Sequence, residues 1–139
     1  MEQRENSILF RVDASGTVRM VLVDTSIWIA HLREGNIHLS HLLNEGKVVC
    51  HSFIIGELAC GNLRNRNEIL SLLKLLPPAE NVEPDEILGF IENYKLMGEG
   101  LGFTDINLLA SAMLTNIPLW TFDKKLNCLS SRLKINYKI

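Results

Sequence analysis

Four carboxylates stand where an α/β chain presents its chemistry. Asp24 follows the apolar run Val21-Leu22-Val23, Asp123 follows Ile117–Phe122 (IPLWTF), and Asp105 is the first or second residue of a helical stretch beginning at Thr104. Glu57 lies inside the helical segment after KVVC, with Phe53 at i−4 and Ile54 at i−3, so the periodicity aims it along an apolar, inward face. Each aspartate also reads as a helix cap or first-turn acid, a position the helix dipole favours by about 0.3–1 kcal/mol. Capping does not account for Glu57, because an inward carboxylate needs a cation and no Lys or Arg stands close by at helical spacing. Four acids on one sheet edge repel one another unless cations neutralise them. Oxygen donors in that number suit Mg2+ or Mn2+, ions that act on phosphate esters. A pair of such ions about 3.5–4 Å apart clamps the attacking and leaving oxygens of an in-line displacement.

The elements that must position these acids alternate along the chain. Met20–Val23, Lys47–Cys50 and Ile117–Phe122 are short continuous apolar runs, the pattern of strands buried on both faces. Between them the signals are helical: Thr25–Arg33, Leu39–Glu45 stopped by Gly46, Phe53–Leu63 capped by Ser52, and Asn67–Leu76 ended by Pro77-Pro78. Pro84 and Asp85 open a helix through about Met97, closed by Gly98 and Gly100. Helices follow from Thr104 to Thr115 and from Lys124 to Leu129, and Leu133–Lys138 is a candidate last strand. This alternation indicates an α/β fold with a parallel sheet covered on both faces, whose ligands bind at the carboxyl ends of the strands. Residues 1–19 read as an N-terminal extension that the native domain does not need, and residues 20–139 as the domain.

Composition bounds the rest. A chain of 139 residues, 47% hydrophobic and 22% charged, makes one globular domain. No apolar run reaches the roughly 18 residues of a membrane span, and the first twenty residues lack a signal-peptide core, so the expected location is cytoplasmic. Cys50, Cys60 and Cys128 have no CxxC spacing and read as packing residues rather than a zinc or disulfide framework. The net charge of −2 does not by itself advertise a polyanion binder. Yet setting the four site acids aside leaves 12 acidic residues against 14 basic ones, and from Lys124 onward five basic residues meet no acidic one.

The segments VLVDTSIWIAHLR, GELACGNL, GLGFTDINLLASAML and LWTFDKKL resemble, in order and spacing, those of the PIN-domain ribonucleases, most closely the VapC-type toxins of toxin–antitoxin pairs. The likeness covers about residues 20–130. It implies a three-layer α/β/α fold around a central, mainly parallel sheet, and endonucleolytic cleavage of RNA dependent on Mg2+ or Mn2+. The family's acidic quartet falls on Asp24, Glu57, Asp105 and Asp123, as metal ligands and catalytic groups. Ser26 and Thr121 match small polar positions near the metal. A small antitoxin covering the site and a homodimer are the implied partners. The stretch before Met20 departs from the family pattern.

Arg33, Arg64, Arg66, Lys124 and Lys125 are candidate phosphate contacts that also read as solvated surface. Nothing in the sequence offers direct base readout, so the expected determinant of specificity is RNA shape and a presented single-stranded loop. Ile87, Leu88, Ile91 and Tyr94 form an apolar helix face that reads as core before interface. Two other functions fit parts of the pattern. A Mg-dependent phosphatase or phosphotransfer domain also places an Asp after the first strand, but DxD-type phosphatases put a second carboxylate where this chain has Ser26. A catalytically silent PIN-like RNA-binding module is disfavoured by the presence of all four acids.

Overall fold

The structure, a computed structural model, describes residues 19–139; the expected N-terminal extension lies, apart from Arg19, outside the described residues. Three strands, β1 (Val21–Val23), β2 (Val48–Val49) and β3 (Leu119–Trp120), form a parallel sheet in the order β2-β1-β3. Val21 pairs with Val48 and Leu22 with Val49 on one side, and Leu22 with Leu119 and Val23 with Trp120 on the other. β1 is therefore the central strand, and the chain leaves it toward opposite neighbours. Such a reversal opens a crevice at the strands' carboxyl ends.

One-residue bridges widen the sheet at both edges, Cys50 with Pro78 and Leu119 with Asn136, both parallel. The second stands where the sequence suggested a last strand. It is held by Leu119 N–H to Ile135 O at 2.8 Å and Tyr137 N–H to Leu119 O at 2.9 Å, but it does not lengthen into a strand. At the other edge Pro78 has no N–H to offer, and the segment contributes the Pro77 carbonyl and Ala79 N–H instead.

Among the described residues seven helices flank the sheet: α1 (Thr25–Glu34), α2 (Ile37–Asn44), α3 (Ser52–Ala59), α4 (Arg66–Leu75), α5 (Pro84–Tyr94), α6 (Phe103–Thr115) and α7 (Lys124–Arg132). α1 packs on α3 and α3 on α4, α5 packs on α6, and both α6 and α7 contact β3. Leu22, Val23 and Leu119 of the sheet are sealed beneath Ile27, Leu39, Ile54, Leu108, Leu109 and Leu126 from the helices. At about 25 cal/mol per Å2 of apolar surface, each such side chain contributes roughly 1.5–3 kcal/mol. Among the described residues no helix is long and apolar enough to cross a membrane.

Helix ends differ from the sequence reading where backbone conformation decides them. α5 stops at Tyr94 rather than Met97, because Lys95 adopts the left-handed conformation (φ 54°) and its N–H returns to Ile91 and Glu92. α6 begins at Phe103 with Gly102, not Thr104, as its N-cap, so Asp105 is the third helical residue. α3 is capped not by Ser52 but by His51, whose Nδ1 accepts the Phe53 N–H at 2.9 Å, and it ends at Ala59.

Candidate active site

Asp24 is the first residue after β1, and it is only 6% exposed. Its Oδ2 accepts hydrogen bonds from Thr121 Oγ1 at 2.7 Å and from Ser26 Oγ at 2.9 Å, with the Ser26 N–H at a longer 3.5 Å. The two hydroxyls lie 3.3 Å apart. Ser26 Oγ also accepts the Phe122 N–H at 3.0 Å, and Thr121 Oγ1 accepts the Asp123 N–H at 3.0 Å. The ends of β1 and β3 are thus knotted around one carboxylate oxygen, which leaves Asp24 Oδ1 without a hydrogen bond to the described residues. Both Ser26 and Thr121 belong to this knot.

Asp24 is also the N-cap of α1. In the sequence this residue reads both as a helix cap and as a site acid. The structure accommodates both, since one oxygen fastens the turn while the other stays available. Asp123 repeats the arrangement: its Oδ1 accepts the Leu126 N–H at 2.9 Å and caps α7, while the side chain is exposed.

Glu57 corrects the sequence reading. It is exposed, not aimed inward; the buried stripe of α3 is Ile54 and Leu58, and both Phe53 and Glu57 lie off it. No core cation is therefore needed to hold this carboxylate. Thr25 Oγ1 donates to Glu57 Oε1 at 2.6 Å and ties α3 to the first residue of α1. Sequence reasoning missed this role of Thr25. Its only signal is a hydroxyl beside Asp24, and its partner lies 32 residues away.

Asp105 completes the set from α6. It is half-buried, and its Oδ2 accepts the Gly102 N–H at 3.4 Å. Burial holds its carboxyl above the ordinary range, and the negative charge of Asp24 raises it further. The Gly102 N–H opposes the shift, and the charges of Asp123 and Glu57 add smaller increases. Asp105 therefore feels the charges of the other three acids, although they come from separated parts of the chain. Among the described residues no three His, Cys, Asp or Glu side chains close around a single ion-sized point. Mg2+ commonly takes one or two carboxylates and keeps waters and substrate oxygens for its remaining positions. The donor set is oxygen throughout and carries a charge excess that a divalent ion would offset.

The residues of this site fall within a stretch, 21–130, that matches the family model for the PIN domain. The chain belongs to the PIN-domain family. The PIN domain described here is 44% identical over 108 residues to ribonuclease VapC32 of Mycobacterium tuberculosis, strain CDC 1551 / Oshkosh, with the same figures for strain ATCC 25618 / H37Rv. The match spans 77% of this chain and 87% of each relative. Its fold is similar to the crystal structure of PAE2754 from Pyrobaculum aerophilum (TM-score 0.57, 19% identity, 84% of this chain and 96% of that one). It is equally similar to FitAcB from Neisseria gonorrhoeae (TM-score 0.57, 21% identity, 81% and 94%).

The candidate phosphate contacts are all exposed. Arg66 Nη1 donates to Gly61 O at 3.1 Å, which folds the α3–α4 link back on itself. Lys125 lies across Gly100, so that a Cβ on Gly100 would stand 2.8 Å from its Nζ. With the Arg132–Glu99 ion pair at 3.7 Å, α7 holds the loop that leads into α6 and Asp105. The α5 face divides: Ile87 is buried and Ile91 half-buried, as core, while Leu88 and Tyr94 are exposed.

Proposed function

We propose that this PIN domain is a divalent-metal-dependent endoribonuclease, the toxin of a toxin–antitoxin pair, acting on cytoplasmic RNA. One observation carries the reading: the Asp105 carboxyl is raised first by burial and then by the charge of Asp24, with smaller increases from Asp123 and Glu57, which supports a site that draws on all four acids. The identity to the VapC32 ribonucleases supports the substrate class. Asp24, Asp105 and Asp123 would hold Mg2+ or Mn2+, with Glu57 as a further ligand or as the group that orients the attacking water. The ion supplies charge neutralisation for the scissile phosphate and a more acidic water.

The chain's own contribution is positioning. Thr121 and Ser26 fix one oxygen of Asp24 and so determine where the other points. Thr25 does the same for Glu57, leaving Oε2 to accept a proton from the water that attacks phosphorus. The phosphotransfer alternative loses ground at Ser26, whose hydroxyl is committed to Asp24 and to the Phe122 N–H. A partner antitoxin and a homodimer are part of this proposal; the exposed apolar residues Leu72, Leu75, Leu88 and Met97 on and beside α4 and α5 are surfaces they would cover. The purified protein, incubated with RNA and Mn2+, should yield discrete fragments that EDTA abolishes, and no acid-stable aspartyl phosphate should form with phosphate donors.

A further inference from the structure

Four phenylalanines lie among the described residues, and three of them are exposed: Phe53 (38%), Phe103 (59%) and Phe122 (54%). Each stands beside a different acid of the site. Phe53 precedes Glu57 by one helical turn on the same face of α3, Phe103 starts the helix that carries Asp105, and Phe122 directly precedes Asp123. A lone exposed apolar residue needs no explanation. Three of one type, each beside a different acid of the site, are a pattern, and leaving them in water forgoes the burial that a phenyl ring ordinarily finds.

Two of the rings are also held in place. Phe122 sits on a constrained turn: its N–H is bound by Ser26 Oγ, and Thr121 Oγ1 accepts the Asp123 N–H and donates to Asp24. Its ring meets the buried Trp120 edge to face, with centroids 6.2 Å apart and planes at 80°. Phe53 meets the buried His51 in the same way, at 5.0 Å and 72°. A phenyl backed on one side and open on the other is a stacking surface made ready before its ligand arrives. Phe122 is followed by Asp123, one of the site's acids, and then by Lys124 and Lys125, two exposed cations that can meet the phosphates of a bound strand.

We infer that Phe53, Phe103 and Phe122 form an aromatic collar that stacks on unpaired bases flanking the scissile phosphate, so that the substrate is a single-stranded or looped-out segment of RNA. This rests on the ribonuclease reading and adds what the acids lack, a grip on the bases. Stacking accepts any base, so the collar selects unpaired structure more than sequence.

The test is fluorescence anisotropy of labelled RNA on the Asp24→Asn background, which separates binding from cleavage. An unpaired oligonucleotide and a blunt duplex of equal charge are compared. Phe122→Leu and Phe53→Leu keep apolar bulk but lose the π face. Each should weaken binding of the unpaired RNA about 5- to 150-fold, the fold-change equivalent of about 1–3 kcal/mol per stacked base, while Phe→Tyr stays within about threefold of the parent. Duplex affinity should move in neither case. Unchanged binding of the unpaired RNA by both Leu variants, or an equal loss on the duplex, overturns the collar. So does a Leu variant that binds RNA normally but no longer binds its antitoxin, which would assign the rings to a protein partner. If the parent binds unpaired RNA through these rings but the native protein cuts none, the ribonuclease reading fails and the collar stands.

Discussion

Thr121 Oγ1 donates to Asp24 Oδ2 at 2.7 Å and joins the ends of two parallel strands across 97 residues of chain. The bond is buried and its acceptor is a carboxylate, so it belongs to the stronger class of hydrogen bonds, worth about 1.5–3 kcal/mol. Thr121→Val keeps the shape and removes the donor, and it also strips the Asp123 N–H of its acceptor. We expect a loss of roughly 2 kcal/mol in urea unfolding and at least a tenfold fall in cleavage rate. Thr121→Ser should restore most of both.

Asp105 links stability to pH in the opposite sense to an ordinary salt-bridged aspartate. Its folded-state carboxyl is raised, first by burial and then by Asp24. Its neutral form therefore favours folding below about pH 3.9, the unfolded value, and that contribution is lost as pH rises through the folded value. At neutral pH the metal-free protein bears the penalty, and Asp105→Asn should unfold at a higher temperature than the wild type. The difference should vanish in scans near pH 3.5. Adding Mn2+ should raise the melting temperature of the wild type more than that of the variant.

Thr25 and Glu57 separate activity from stability. The pair is exposed, so its loss should leave thermal unfolding within about 1 °C of wild type. Thr25→Val should still lower cleavage by freeing Glu57 to turn, and Glu57→Gln should lower it further. Equal rates for all three proteins, measured in single turnover, would remove Glu57 from the mechanism.

His51 gives the molecule an acid limit. Burial lowers its pKa, and its unprotonated Nδ1 caps α3, the helix that bears Glu57. The unfolded chain takes up a proton below about pH 6.5 while the folded one resists, so this stability is present above that pH and lost as pH falls through the folded value. His51→Asn keeps a capping side chain without the titration. The variant should be less stable overall, since it leaves a gap in the core, but its urea midpoint should decline less between pH 7 and pH 5.

The strands were legible because a parallel sheet buried on both faces leaves nothing but apolar residues to write, as in VLV and in the VV and LW pairs. Asp24 and Asp123 were legible as positions for the same reason, since polar residues at the ends of such runs stand out, whereas Asp105 was legible as an acid at the start of a helix. Helix boundaries were less so. Lys95 and Gly102 take their roles from backbone angles that composition does not announce. Glu57 was placed inward because Phe53 was counted as a core residue. A phenylalanine kept at the surface breaks the rule that apolar periodicity marks the buried face, and here the buried face runs through Ile54 and Leu58. The His51 cap was not legible, because histidine is not among the residues that ordinarily cap helices while Ser52 beside it is.

The central claim, that Asp24 anchors an acidic site whose chemistry is metal-dependent RNA hydrolysis, is tested most directly by single-turnover cleavage of RNA containing an unpaired loop, with Mn2+ titrated from zero. Wild-type cleavage should rise saturably with the ion and disappear in EDTA. Asp24→Asn, folded by circular dichroism, should be slower by at least about a thousandfold at every concentration. Cleavage by Asp24→Asn at the wild-type rate, or wild-type cleavage that persists in EDTA, would contradict the account.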